Sequence, residues 1–148
     1  MPDIQGGYTE RHDVAQLGMI ADSRPHVISS FTYEGVAKTG FGLALMYGSI
    51  DNAVDIGGTV FAGLIVSTQV IDPAIATDQY APNDSVGLMT KGSMWVKPTT
   101  IVANGDPVYF TLADGTIQNA AAAGRVLIDG AVFETSAAAN ALARVHLK

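Results

Sequence analysis

The side chains of this chain that could carry out chemistry are few and stand far apart in the sequence. Each of the three histidines stands alone on its element, without a second ligand at metal-binding spacing: His12, His26 and His146. The acidic loop from Asp51 to Asp55 comes nearest to a calcium site, but it lacks the alternating oxygen ligands and the closing glutamate of such a loop. Turn formation is therefore the favoured role of this loop, and no metal site is predicted.

Catalytic pairs are equally hard to assign from the sequence. Glu34 and Glu134 are candidate carboxylates for glycoside hydrolysis, yet nothing in the sequence places them at the short separation that this reaction needs. Ser29-Ser30 and Ser136 lack the Gly-x-Ser-x-Gly context of an activated nucleophile. Gly40-Phe41-Gly42 has no helix after it and so cradles no phosphate. The sequence therefore disfavours a small hydrolase and predicts no catalytic residue and no cofactor.

The composition indicates a single domain whose surface is partly covered by partners. The chain has 148 residues, which suits one domain, and only 15% of them are charged while 48% are hydrophobic. A typical soluble domain is about 25% charged, so this chain has few charges with which to cover a free monomer. We therefore expect either a surface rich in small polar residues or, preferably, a surface covered by other protein subunits.

Nucleic acid and membrane are not expected as partners. The net charge is −6, and the basic residues are scattered singly along the chain: Arg11, Arg24, Lys38, Lys91, Lys97, Arg125, Arg144 and Lys148. Phosphate binding needs clustered Lys and Arg, which this pattern does not provide. No apolar stretch approaches the ~18 residues of a membrane span. The absence of cysteine excludes a disulfide framework and a thiolate nucleophile.

Several segments have the β-branched and aromatic composition of strands. Val27 to Tyr33 is such a segment and ends at Glu34-Gly35. Phe41 to Tyr47 and Val60 to Val66 are apolar and too short for typical helices, so strands are preferred, with a loop from 49 to 58 between them. Ala141 to Lys148 alternates between apolar and polar residues, which predicts a half-buried final strand.

Glycine turns between apolar runs predict three hairpins. The stretch from Tyr80 to Ile117 contains two of them, with turns at Lys91-Gly92-Ser93 and at Asp114-Gly115-Thr116. A third is predicted at Asp129-Gly130, between the short strands 125–128 and 131–133. Trp95 follows the first turn and is expected in the core or in an interface, because it buries a large area.

These elements predict an all-β fold with an N-terminal arm. About nine or ten short strands with frequent turn signals are typical of a small jelly-roll-like β-sandwich or a Greek-key barrel, here over residues 18–148. Residues 1–17 contain Gly6-Gly7 and show little periodicity, which favours an extended arm. Apolar anchors and basic side chains in and just after this arm are the predicted contacts with a partner: Tyr8, Arg11, Val14, Leu17 and Arg24.

The order of the turn motifs resembles the structural cement proteins of tailed-phage capsids. The segments that carry the resemblance span most of the chain: Gly18-Met19-Ile20-Ala21-Asp22, Phe41-Gly42, residues 80–96, Gly105-Asp106-Pro107-Val108-Tyr109 and residues 130–137. Asn83 and Asn140 stand where the family is expected to have glycine. Because asparagine tolerates left-handed backbone geometry, neither departure threatens the fold.

The resemblance implies a function without catalysis. Members of the cement protein family are expected to be small β-sandwiches that assemble as oligomers on the outer surface of the virion and clamp neighbouring subunits of the major capsid protein. During assembly they are expected in the host cytoplasm. It implies a homo-oligomer, for which a dimer is favoured over a trimer, and it offers no catalytic residue. A β-sandwich carbohydrate-binding or adhesin-like module on a virion surface is the alternative, which exposed aromatic platforms would distinguish.

Overall fold

A computed structural model of the chain describes residues 17–37, 39–67 and 79–148, and these residues form strands without any helix. The strands, in chain order, are β1 Val27–Tyr33, β2 Thr39–Gly40, β3 Ala44–Tyr47, β4 Ala53–Asp55, β5 Phe61–Ile65, β6 Gln79–Tyr80, β7 Ser85–Val96, β8 Pro107–Thr111, β9 Ile117–Gln118, β10 Arg125–Phe133 and β11 Ala143–Leu147. The all-β prediction is therefore confirmed. Within the described ranges, no helix is long and apolar enough to span a membrane.

The first half of the fold is a closed β-barrel. Its strands follow the order β1, β4, β3, β5 and β7, and the antiparallel pairing of β1 with β7 closes the ring. β1 and β4 run parallel, with Thr32 opposite Ala53, so a crossover connection that contains β2 and β3 joins them. The remaining strands extend the sheet from the far end of β7 in the order β11, β10, β8 and β9.

Three central strands are buried on both faces, which explains their continuous apolar runs. Leu45, Ile65 and Leu88 point into the barrel and join one buried cluster with Tyr33 and Val54. Their neighbours on the opposite faces of β3, β5 and β7 join a second cluster with residues of the extended sheet: Met46, Leu64, Met89, Phe110, Phe133 and Val145 among others. A strand covered on both sides needs no polar face. Part of the low charge content of the chain therefore reflects this double burial.

The predicted hairpin at Lys91-Gly92-Ser93 is wrong, because β7 runs without a break from Ser85 to Val96. Gly92 has a φ of 122° inside the strand, and a Cβ there would come within 2.5 Å of the His26 Cβ. The glycine thus allows one strand to pass from the barrel into the extended sheet, where Gly92 lies opposite Leu147 of β11. Its sequence signal marks this transition and a close approach, not a reversal of the chain.

The hairpin predicted at Asp129-Gly130 is also wrong, because β10 is continuous from Arg125 to Phe133. Its register with β8 shifts between Leu127 and Val132, and Gly130 has a φ of 76° within the shifted region. Glycine at positive φ is as useful in a β-bulge as in a hairpin turn, so the two cannot be told apart from the dipeptide alone.

Other predictions have mixed outcomes. β1 and the alternation of β11 are confirmed, since Ala143, Val145 and Leu147 are all buried. The hairpin of β8 and β9 is confirmed by the pairing of Tyr109 with Gln118. The loop predicted from 49 to 58 contains a short strand, β4, which pairs with β1 and β3. Trp95 is only half-buried and belongs to neither core cluster of the described residues.

Candidate functional site

The residues predicted to contact a partner divide into two groups. Tyr8, Arg11 and Val14 lie outside the described residues. Leu17 is half-buried and packs on the barrel cluster, where its side chain lies over Gly42. Arg24 lies at the centre of a group of polar side chains. Contact of any of these residues with a partner stays a prediction.

The segment that leads from Leu17 to Arg24 is fastened along β7. The Gly18 N–H donates to the Trp95 carbonyl oxygen at 2.8 Å, and the Trp95 N–H donates back to Met19 at 3.0 Å. The Ala21 N–H donates to the carbonyl oxygen of Ser93 at 2.9 Å. These bonds place Arg24 next to the middle of β7 and close to the end of β10.

We call the polar group around this point the Glu134 cluster; its members are Asp22, Arg24, Ser93, Glu134, Arg144 and His146. One guanidinium nitrogen of Arg24 donates to the Ser93 hydroxyl at 2.6 Å and to Glu134 Oε1 at 2.7 Å. The Arg24 Nε donates to Asp22 Oδ2 at 2.7 Å. Arg24 therefore joins the N-terminal segment to β7 and to the end of β10.

Glu134 accepts hydrogen bonds from three sides. Arg144 on β11 donates to Glu134 Oε2 at 3.1 Å, and the Ser93 hydroxyl lies 3.2 Å from Glu134 Oε1. His146, two residues along β11, places its Nδ1 3.0 Å from the Ser93 hydroxyl and 3.6 Å from Glu134 Oε1. The Glu134 side chain is only 18% exposed, so these contacts replace most of its water.

The charges of the cluster stabilise its carboxylates in the ionised form. The partial burial of Glu134 acts to raise its pKa, but the hydrogen bond from Arg24, the positive charges of Arg24 and Arg144 and the hydrogen bond from Ser93 outweigh that burial and lower it. The pKa of Asp22 is lowered chiefly by the hydrogen bond from Arg24. The same two carboxylates raise the pKa of the Arg24 guanidinium. The cluster is therefore a set of mutually compensating ion pairs at neutral pH.

Serine, histidine and glutamate meet in this cluster, so it must be compared with a hydrolytic triad. In a triad the serine and the acid bond to different nitrogens of the imidazole. Here Ser93 and Glu134 both approach Nδ1 of His146. Ser93 is also only 1% exposed and already accepts a hydrogen bond from Arg24. A buried hydroxyl in that position cannot reach a substrate, and the geometry supports a structural role.

Sequence reasoning missed this cluster as a unit. The alternation of residues 141–148 predicts that His146 lies on the solvent-exposed face of the last strand, whereas its side chain is only 22% exposed and contacts Ser93. The alternation of β11 did place Arg144 and His146 on one face, which is the only local signal. The other members lie far away in the chain, with Arg24 and Glu134 separated by 110 positions. In the described ranges, no group of three or more acidic or histidine side chains could hold a metal ion.

The described surface also carries large apolar side chains that face solvent. Those on the barrel and its loops are Val27, Ile28, Val36, Tyr47, Ile50 and Val60, and those on the extended sheet and its loops are Ile101 and Leu127. Val27 and Ile28 lie within a run of four exposed residues at the start of β1. Such side chains are candidates for contact with partner subunits.

Asn83 and Asn140, at which the family resemblance predicts glycine, have the backbone geometry that such positions need. Asn83 has a φ of 70° and Asn140 a φ of 61°, so both lie in the left-handed region. Asparagine adopts this region more readily than other side chains. The two positions therefore keep the turns that glycine would form.

Comparison with known proteins agrees with the fold. The chain matches the sequence profile of a family described as structural cement protein (E217 gp24/Pam3 gp6) over residues 4–148. A chain in the capsid of Myoviridae phage XM1 has a TM-score of 0.76 at 17% identity, with 100% of this chain and 98% of that chain covered. The N base of head fiber gp8.5 of bacteriophage phi29 has a TM-score of 0.49 at 17% identity, covering 82% and 95%.

No curated protein matches the chain. The family profile nevertheless spans the barrel, the extended sheet and every member of the Glu134 cluster. The chain therefore belongs to the structural cement protein family of bacteriophages, whose role in the virion is structural.

Proposed function

We propose that this protein is a non-enzymatic decoration protein that binds the outer surface of an assembled phage shell, contacts the major capsid protein and clamps neighbouring subunits. Membership of the cement family over residues 4–148 carries this proposal. A protein that binds the assembled lattice better than free subunits stabilises the lattice by mass action, and many copies make the effect avid. The protein would reside in the host cytoplasm until shells assemble.

The exposed surface supports binding to other protein subunits. Ile50 is 69% exposed, Val60 59% and Ile101 75%. Few charged residues surround these three apolar side chains in the sequence. Contact with another subunit would remove this apolar surface from water. We further propose a homo-oligomer, with a dimer favoured and a trimer as the alternative, since an obligate interface would cover part of the same surface.

The predicted capsid contacts fit this function in different ways. The sequence of residues 1–16 sets Tyr8 and Val14 between charged residues, and such anchors offset the entropy lost when a segment orders on binding. Arg11 would add a charged contact to the acidic groups of a partner. Leu17 would join this segment to the barrel, and Arg24, whose side chain is 41% exposed, would face the partner from the Glu134 cluster.

The test is binding to shells that lack decoration. Shells assembled from the major capsid protein alone would be mixed with the purified chain, sedimented, and heated with and without it. We expect co-sedimentation with assembled shells but not with free capsid subunits, a higher temperature of shell disruption, and density for the protein on the outer surface in electron cryo-microscopy. Failure to bind the shells, or equal binding to free subunits, would contradict the proposal.

The alternative of a carbohydrate-binding module is favoured by one observation only. Tyr47 is 51% exposed, and its ring packs edge-on against Phe31 with centroids 6.1 Å apart. An exposed aromatic face could stack on a sugar ring. Glycan binding that is lost in Tyr47→Ala, without any binding to shells, would favour this alternative over capsid decoration.

A further inference from the structure

β1 is an exposed edge strand over most of its length. The register pairs residues 27–32 with β7, whereas on the other side only Thr32 and Tyr33 pair with β4. In the described part of the chain, residues 27–31 therefore have a strand on one side alone. Val27, Ile28, Ser29 and Ser30 are all exposed, although strands covered on one face alternate between buried and exposed.

The free edge presents hydrogen-bonding groups from alternate residues. The Thr32 N–H donates to the Asn52 carbonyl and the Glu34 N–H to that of Val54, both on the β4 side, while the Tyr33 N–H points to Asp84 beside β7. Because backbone groups alternate along a strand, Ile28 and Ser30 direct their N–H and C=O groups to the β4 side. There, the pairing with β4 has already ended.

Among the described residues, nothing gives this edge the usual protection against strand addition. Natural edge strands are commonly guarded by charged side chains, by proline within the strand or by a covering element. β1, with the sequence VISSFTY, contains neither charge nor proline. An edge of this kind is a template for another strand, and main-chain hydrogen bonds would supply much of the affinity.

We propose that two copies of this chain pair through the free edges of β1, antiparallel and across a two-fold axis at Ser29. In this register Ile28 of one copy lies opposite Ser30 of the other, so the free donors and acceptors of both copies are used. The two Ser29 residues then form a non-hydrogen-bonded pair with small side chains at the axis. The proposal specifies the interface of the proposed homo-oligomer and rests on that part of the proposed function.

The distribution of charge favours a second copy as the occupant. Each copy has a net charge of −6, yet the uncharged strand brings no like charges opposite each other. The paired part of this interface is limited to residues 27–31, because β4 occupies the same edge from Thr32 onward. A two-fold interface sets the same patch of both copies against itself, so a patch without charged side chains avoids repulsion between the copies.

Cysteine cross-linking tests this register, because the chain has no cysteine of its own. Ser29→Cys would place two thiols on the axis at a Cα separation of about 4.5 Å, within the range of about 4.4–6.8 Å that a disulfide needs. Ser30→Cys is the matched control: its two copies lie diagonally, about 7–8 Å apart, which is too far. We expect Ser29→Cys to form a covalent dimer at least about tenfold faster than Ser30→Cys under mild oxidation.

A charge variant provides the second measurement. Ile28→Lys would set the two introduced lysines diagonally across the two-fold axis, within reach of each other's charge, and its exposed position should leave the fold intact by circular dichroism. We expect light scattering to give the mass of one chain, 15.4 kDa, for this variant. The control Val36→Lys changes a residue that is 99% exposed outside β1, and it should keep the mass of a dimer.

The possible outcomes separate this inference from the proposed function. Equal cross-linking of the two cysteine variants, an unchanged mass for Ile28→Lys, or a monomeric or trimeric wild type would each overturn the β1 interface. If shells are still decorated in that case, the cement function stands without it. Selective cross-linking at Ser29 with no binding to shells would support the interface and contradict the cement function.

Discussion

Replacement of Glu134 by glutamine is the most informative perturbation of this fold, because one carboxylate joins three parts of the chain. Glu134 accepts hydrogen bonds from Arg24 before β1, Ser93 on β7 and Arg144 on β11. Glutamine keeps the size of the side chain and one acceptor oxygen but removes the negative charge. The variant therefore measures the charge of the cluster and leaves packing almost unchanged.

The magnitude follows from the exposure of the partners. Hydrogen bonds to charged groups contribute about 1.5–3 kcal/mol when shielded from water, whereas exposed ion pairs contribute about 0–1 kcal/mol. The Arg24 side chain is 41% exposed and that of Arg144 32%, so both can recover water when the carboxylate is lost. We therefore expect Glu134→Gln to lower the free energy of unfolding by about 1–3 kcal/mol, or the melting temperature by about 3–10 °C.

Chemical denaturation and thermal melting would measure this loss against a matched control. Glu34→Gln makes the same chemical change at a carboxylate whose partners among the described residues are the main chain and hydroxyl of Ser49, at 2.5 and 2.9 Å in an exposed turn. We expect this control to lose less than about 1 kcal/mol. A loss at Glu134 no larger than that at Glu34 would refute the assignment of the cluster as a structural fastening.

The stability difference between the wild type and Glu134→Gln should depend on pH. The pKa of Glu134 in the folded protein lies below its ordinary value of 4.5, despite the burial that opposes ionisation, because Arg24 and Arg144 favour the charged form. The charge therefore adds stability above pH 4.5, and this contribution is lost as the pH falls through the lower folded value. The gap between wild type and Glu134→Gln should be full at pH 7 and should close in acid, and a gap that is independent of pH would contradict this reasoning.

Three further predictions follow from particular residues. Trp95→Ala should cost about 2–3 kcal/mol by chemical denaturation, less than the upper end of the range for a fully buried ring, because the side chain is half-buried; a loss of 5 kcal/mol would contradict this. Gly115→Ala should prevent folding or lower the free energy of unfolding by more than about 3 kcal/mol, because its Cβ would clash with a main-chain oxygen of β3. The Cβ of the control Gly105→Ala meets no atom, so this variant should lose only about 1 kcal/mol. Equal losses of stability in the two variants would refute the clash. Deletion of residues 1–16 should leave the melting temperature nearly unchanged and weaken attachment to shells. A deletion that also removes Leu17 should lower the melting temperature, because packing on the barrel is lost. A truncated protein that unfolds yet still decorates shells fully would contradict both expectations.

Local patterns were sufficient wherever one strand and its nearest turn decide the structure. β1 begins and ends at Val27 and Tyr33 as its β-branched and aromatic composition predicts, and β11 alternates as its sequence does. The hairpin of β8 and β9 follows from the turn at Asp114-Gly115-Thr116, with Gly115 at a φ of 73°. In these cases side-chain period and turn chemistry both act over a few residues. The order of the motifs likewise predicted the family.

Glycine at positive φ was ambiguous, and only tertiary pairing decided its role. Gly92 and Gly130 have the same conformational freedom as a turn glycine, but strand pairing is present on both sides of each: β1 pairs with β7 up to Lys91 and β11 pairs with it from Gly92 onward, while β8 pairs on either side of the bulge at Gly130. Whether a chain reverses or bulges there depends on which partner strand is available, and that partner comes from elsewhere in the sequence.

The Glu134 cluster and the free edge of β1 were decided by tertiary structure for the same reason. Arg24 and Ser93 are 69 positions apart, and Ser93 and His146 are 53 apart, so no periodicity within one element reports their contact. The composition of β1 predicts a strand, but its free edge exists because β4 pairs with its last two residues alone. Amino-acid types set what each strand can bury or bond, and the long-range register of the barrel set which of those groups meet a partner among the described residues and which do not.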